Sequence, residues 1–230
     1  MILGTVAALL AGCVGGEARE GSRVEVVLEV QEPGEDARSS LPDTLELVFD
    51  HSELLSCDWE RPELAKFWKR FSLIKEAEAA HLPAAPHRLS SGDLWRVIND
   101  GETHQRWTVG TLRPVVNDYC GVRFGFYSAL PETPAVEQGA EVGVSIYAKW
   151  DEEGESGERE IQGSLGFDIE VSNASGEAWL SEEDLQEGPG RIVLSLNLEG
   201  VADQGRELSD PRALALLIVE GATVELENVE

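Results

Sequence analysis

The sequence predicts a mainly β protein: an antiparallel β-sandwich, immunoglobulin-like or jelly-roll-like, carrying one inserted amphipathic helix. Three observations carry this expectation. Charged and apolar residues alternate at period two in several segments, the pattern of strands with one buried face. Turn signals rich in Gly and Pro separate those segments. The helices that a doubly wound α/β fold needs between successive strands are missing. With 230 residues, 42% of them hydrophobic, the chain is long enough for one sizeable core.

The alternation begins at residues 23–30 (RVEVVLEV) and returns at 44–50 (TLELVFD), after the turn signal Pro42-Asp43. It then stops, and residues from about 51 to 106 are expected to form a helical and loop insertion. The helix spans about 62–80. Pro62 suits its first turn, and Leu64, Phe67, Trp68, Phe71, Ile74 and Ala77 recur at helical spacing. Pro83 and Pro86 prevent its continuation. Further strands are expected at 107–112, 120–129, 141–150, 160–171, 191–198 and 213–225. Val122, Phe124 and Phe126 fall on one face of their strand, as do Val142, Val144 and Ile146. The acidic stretch 151–160 (DEEGESGERE) reads as a solvated hairpin loop, because it lacks the ligand order of a helix-loop-helix calcium site. Residues 23–230 are thus read as a single domain.

Asp and Glu number 44 against 18 Lys and Arg, a formal charge of -26. Nucleic-acid affinity comes largely from basic side chains on phosphates, so that charge argues against a nucleic-acid partner. It also argues against adsorption to anionic lipid headgroups. The excess is spread along the chain and reads first as a solvated, like-charged surface.

Residues 1–12 (MILGTVAALLAG) are apolar and small and carry no charge, the character of a signal-peptide h-region. They lead into Leu10-Ala11-Gly12-Cys13, which resembles the lipobox of bacterial lipoproteins. The resemblance covers about the first 15 residues. It implies cleavage before Cys13 and acylation of that cysteine. It further implies a mature protein held by lipid at the bacterial cell envelope, facing the periplasm or the exterior. Residues 13–22 then form a lipid-anchored flexible tether, rich in Gly and charge. Several acyl chains anchor stably where one does not. The departure is that no Lys or Arg precedes the apolar run, which places the expected translation start upstream of Met1.

Beyond Cys13 the chain has Cys57 and Cys120. An even pair in an oxidising compartment suggests a disulfide. Two free buried thiols, or one thiolate ligand for a metal, are the alternatives.

All four histidines, His51, His81, His87 and His104, fall in the expected insertion, and Cys57 and several tryptophans accompany them. Imidazole suits copper and zinc, so these four are the candidate metal ligands, weighed against solvated or hydrogen-bonded surface histidines. The layout is export signal, early strands, a His- and Trp-bearing interruption, then strands to the end. It is similar to that of the periplasmic copper-binding proteins found beside methanobactin systems. That resemblance implies an exported β-sandwich with His and Trp near a metal. No family motif matches residue by residue, so it carries over no ligand.

Enzyme signatures are poor: there is no G-x-S-x-G elbow, phosphate loop or H-E-x-x-H. Asp93 beside Trp95 is the one place a hydrolase cleft is weighed. The expectation is a lipid-anchored envelope protein with a binding or structural role. The first specific reading is a transition metal at the histidine segment. The second is recognition of a polysaccharide or protein partner by exposed aromatic platforms, Trp95 and Trp150. A small hydrolase comes third.

Overall fold

The computed structural model describes residues 23–31, 34–57, 88–99, 101–103, 106–114, 117–151, 158–172, 177–187 and 190–228. Its strands are β1 (Val24–Gln31), β2 (Thr44–Ser56), β3 (Arg88–Asn99), β4 (Glu102–Thr103), β5 (Arg106–Leu112), β6 (Tyr119–Phe126), β7 (Ile146–Asp151), β8 (Glu158–Gly163), β9 (Phe167–Ser172), β10 (Gly190–Asn197) and β11 (Ala222–Asn228). Five short helices join them: α1 (Glu35–Arg38), α2 (Pro134–Glu137), α3 (Glu182–Glu187), α4 (Glu199–Gln204) and α5 (Pro211–Glu220).

Among the described residues the strands form two sheets around one core. The smaller sheet runs β11-β10-β1-β5, and the larger runs β4-β3-β2-β6-β9, with β7 and β8 joined to it through β2. Pairing is antiparallel throughout except between β1 and β10, which run parallel. Alternation explains the layering. Val24, Val26, Leu28 and Val30 of β1 enter the core, while Glu25 and Glu29 face outward. The outer face of the smaller sheet is knitted by charge: Arg191 donates to Glu25 at 2.6 Å and pairs with Glu227, which also meets Arg106.

β2 organises the larger sheet. Its first half pairs with β7 and its second half with β6 on the same side, while β3 lies along the other side. The division falls at a β-bulge. Phe49 opposes Phe126, but His51, not Asp50, opposes Gly125. One extra residue reverses the side-chain parity. Leu45, Leu47 and Phe49 are core residues before the bulge, and Ser52 and Leu54 after it, so His51 and Glu53 fall on the outer face. In the core Phe49 stacks on Trp95 at 4.2 Å, and Phe126 stacks on Phe167 at 4.8 Å.

The strands reach into the segment expected as an insertion: β2 continues to Ser56, and β3 and β4 lie within it. The expected helix at about 62–80 lies outside the described residues. A second difference is at the carboxyl end, where the strand expected over 213–225 is α5 followed by β11. The run from Ala213 to Val219 is almost wholly apolar and fits either period. The ends decide it. Asp210 caps α5 by accepting from the Arg212 N–H at 2.9 Å, Pro211 occupies the first turn, and Gly221 follows the last. Leu214, Ala215 and Ile218 are buried from one face of α5. The strand expected over 141–150 begins only at Ile146, and Val142 is 52% exposed in the loop before it.

Candidate functional site

Of the four histidines, His51 is described; His81, His87 and His104 lie outside the described residues, as does Cys13. His51 is 4% exposed, and its Nδ1 lies 2.8 Å from Asp50 Oδ2. Its ring stacks on Tyr127, centroids 5.7 Å apart. Cys57 is bonded to Cys120, with Cα atoms 4.7 Å apart. The disulfide ties the end of β2 to β6 and withdraws Cys57 from any metal. Among the described residues no group of three His, Cys, Asp or Glu side chains is placed to hold an ion.

The aromatic platforms are corrected. Trp95 is 4% exposed and Trp150 is 1% exposed. Trp95 is held between strands by Phe49 and Phe126, and Trp150 donates its indole N–H to the Ser40 carbonyl. Alternation in β3 and β7 turns both rings inward, so neither offers a face to a sugar or a partner. Asp93 accepts from Gln138 Nε2 at 3.0 Å, a contact that fastens a loop to β3.

Two polar features occupy the outer face of the larger sheet. The first surrounds His51. Arg123 and Tyr127 project from the β6 side, and Asp168 and Glu170 from β9. Tyr127 donates to Asp168 at 3.0 Å, and Arg123 donates to Glu170 at 3.0 Å and lies 4.0 Å from Asp168. Burial pushes the Asp168 carboxyl above its ordinary value, against the opposing pull of Arg123 and the Tyr127 hydrogen bond. Burial, then the negative charge of Asp168, raises the Tyr127 phenol well above its usual range. These partners satisfy one another, as buried polar groups must.

The second is a half-enclosed cavity of about 340 Å³. A loop layer covers part of β2 and β3. In it Ala129, Ala135 and Ala140 form a small apolar cluster with Val48, backed by Leu94 and Val136. Gln138 fixes that layer: its Oε1 accepts from the Leu94 N–H at 2.7 Å, and its carbonyl accepts from Arg96. Ser145 fixes the far side, its Oγ donating to the Gly163 carbonyl and accepting from the Leu165 N–H, both at 3.0 Å. The cavity opens between this layer and the β7–β8 hairpin. Leu94 and Val144, with Val48 beneath them, supply apolar lining, and Glu46, Glu141, Glu160 and Gln162 supply polar groups. Tyr147 donates to Glu160 at 3.0 Å. Its phenol is pushed up to about 12, first by desolvation, then by the hydrogen bond and charge of Glu160, with Glu46 adding and Lys149 opposing.

Sequence reasoning missed this cavity. Its walls come from residues 46 to 162, which only the pairing of β2 with β7 brings together. The one local signal was the apolar-polar alternation of β7 and β8, which does not distinguish a cavity wall from an open face.

No protein-family model matches the chain, and no curated protein or solved structure matches it.

Proposed function

We propose that this chain is an exported, lipid-anchored binding protein of the bacterial cell envelope, and that its ligand enters the cavity between the loop layer and the β7–β8 hairpin. One observation carries the reading. The chain has three cysteines, and Cys57 and Cys120 are bonded to each other. A structural disulfide belongs to oxidising compartments. It leaves Cys13 as the remaining thiol, and Cys13 stands at the end of the lipobox-like Leu10-Ala11-Gly12.

A binding role is supported by the architecture of the cavity. Such sites are concave, have an apolar lining and hold a few placed polar groups. Here the lining is fixed by backbone pairing and by Gln138 and Ser145. Beside His51, Tyr127 pairs with Asp168 and Arg123 with Glu170, so these side chains bind one another across β6 and β9.

The test is subcellular partition in a bacterial host that processes lipoproteins. Wild-type protein is expected in the membrane fraction and Cys13→Ser in the soluble fraction. Equal partition of the two would contradict lipid anchoring.

A further inference from the structure

We propose that residues 130–143 form a flap that swings on its neck and uncovers the floor of the cavity. The swing gives a ligand its entry, and to that extent it rests on the cavity being the ligand site.

The segment leaves and returns at one point. Ala129 donates its N–H to the Val144 carbonyl at 2.9 Å, and Gly143 donates to the Ala129 carbonyl at 2.8 Å. A surface loop with joined ends, packed by its own side chains, is a recurrent functional element. On either side of the neck the chain is anchored to β2: Tyr127 donates to the Val48 carbonyl, and Val48 donates to the Ser145 carbonyl. Bonds inside the segment hold it together. Thr133 donates to the Leu130 carbonyl, Val136 to Thr133, Gln138 to Pro134 and Ala140 to Ala135. The segment therefore moves as one body. Gly143 lies in the neck at φ +86°, with open space where a β-carbon would stand, so rotation there meets no side chain.

The flap is held to the sheet by a small apolar contact and a polar latch. Ala135 and Ala140 pack on Val48, with Val136 and Leu94 beside them, in a cluster separate from the main core. Thr133 lies over Gly92, where a β-carbon would stand 3.4 Å from it. The latch is Gln138. Its Oε1 accepts from the Leu94 N–H at 2.7 Å, its Nε2 donates to Asp93 at 3.0 Å, and its carbonyl accepts from Arg96. All three bonds are exposed, and water competes for each of them. Few buried apolar contacts and solvent-exposed bonds mark a region that opens at low free energy. Lifting the flap carries Gly139, Ala140 and Glu141 out of the cavity wall and leaves Val48 and Leu94 open.

Thiol labelling of the full-length, disulfide-bonded protein tests the motion. Ala135 is buried under the flap, and Ala148 is equally buried in the main core. A maleimide should modify Ala135→Cys at least about a hundredfold faster than Ala148→Cys, the gap between a local and a global opening. Peptide mapping reads each site apart from Cys13. Adding Gln138→Ala should speed the labelling of Ala135→Cys by about tenfold, the worth of roughly one hydrogen bond, and leave Ala148→Cys unchanged. Hydrogen exchange of the wild-type protein needs no substitution. The Leu94 amide should exchange far faster than that of Leu28, which lies in β1 between two paired strands. Equal labelling of the two cysteines, no response to Gln138→Ala, or a Leu94 amide as slow as Leu28 would overturn the flap. These measurements use no ligand, so their failure is separable from failure of the cavity as a ligand site.

Discussion

The imidazole of His51 lies against the backbone of Gly125. A β-carbon placed at Gly125 would stand 2.3 Å from His51 Cε1 and 2.7 Å from Tyr127 Cε2. The bulge at Asp50 puts His51 opposite Gly125, and the missing side chain lets the ring lie flat between β2 and β6. Gly125→Ala should therefore cost about 2–3 kcal/mol, the scale of overpacking in a filled site. Urea unfolding of Gly125→Ala, His51→Ala and the double variant measures this. The double variant should be more stable than the sum of the single costs implies, because one change relieves the other. A strictly additive pair would show that the two residues do not compete for the same space.

Asp168 gives the fold a defined pH dependence. Burial raises its carboxyl above the ordinary aspartate value, so the folded state holds the proton more tightly than the unfolded state. Its stabilising contribution is then full below about 3.8 and is lost as pH rises through the folded value. Relative to Asp168→Asn, the wild type should gain stability as pH falls from 7 toward 4. Urea midpoints of both proteins at several pH values in that window check it. A difference that does not change with pH, or that changes the other way, contradicts it.

The disulfide closes a loop with a sequence separation of 63. In the chain-entropy treatment such a crosslink is worth about 4 kcal/mol. The double variant Cys57→Ala, Cys120→Ala should lose stability on that scale in denaturant unfolding. Peptide mapping without reductant should recover the two cysteines in one linked peptide. Two free thiols in the native protein would refute the bond.

Trp95 of β3 stacks on Phe49 of β2 and meets Phe126 of β6 edge-on. Trp95→Ala should cost about 3–5 kcal/mol, as large buried aromatics do. Its fluorescence should resist quenching by iodide in the native state. Ready quenching of that residue, read in a variant with the other tryptophans replaced, would return it to the surface.

What the sequence made legible follows from periodicity. Val24 to Val30, Val122 to Phe126 and Ile192 to Leu196 carry an apolar residue at every second position, and each became a strand with those residues in the core. The second half of β2 was hidden by its bulge: Asp50 and His51 are consecutive polar residues, so the alternation stops although the pairing does not. β3 was hidden by Ser90, Ser91 and Gly92. Gly92 adopts φ +65°, a conformation suited to glycine, and the strand continues past it. The same alternation that marked β7 also places Trp150 inward, on the face of Ile146 and Ala148, so period two by itself argued against an exposed ring there. The cavity could not be read at all, because Glu46 and Glu160 are neighbours only after β2, β7 and β8 have paired.

The envelope assignment is tested most directly by the mass of the amino-terminal peptide of membrane-extracted protein. The account predicts that Cys13 is the first residue and carries acyl chains, with Met1 to Gly12 removed. An unmodified Cys13 in a peptide that continues from Leu10-Ala11-Gly12 would contradict it.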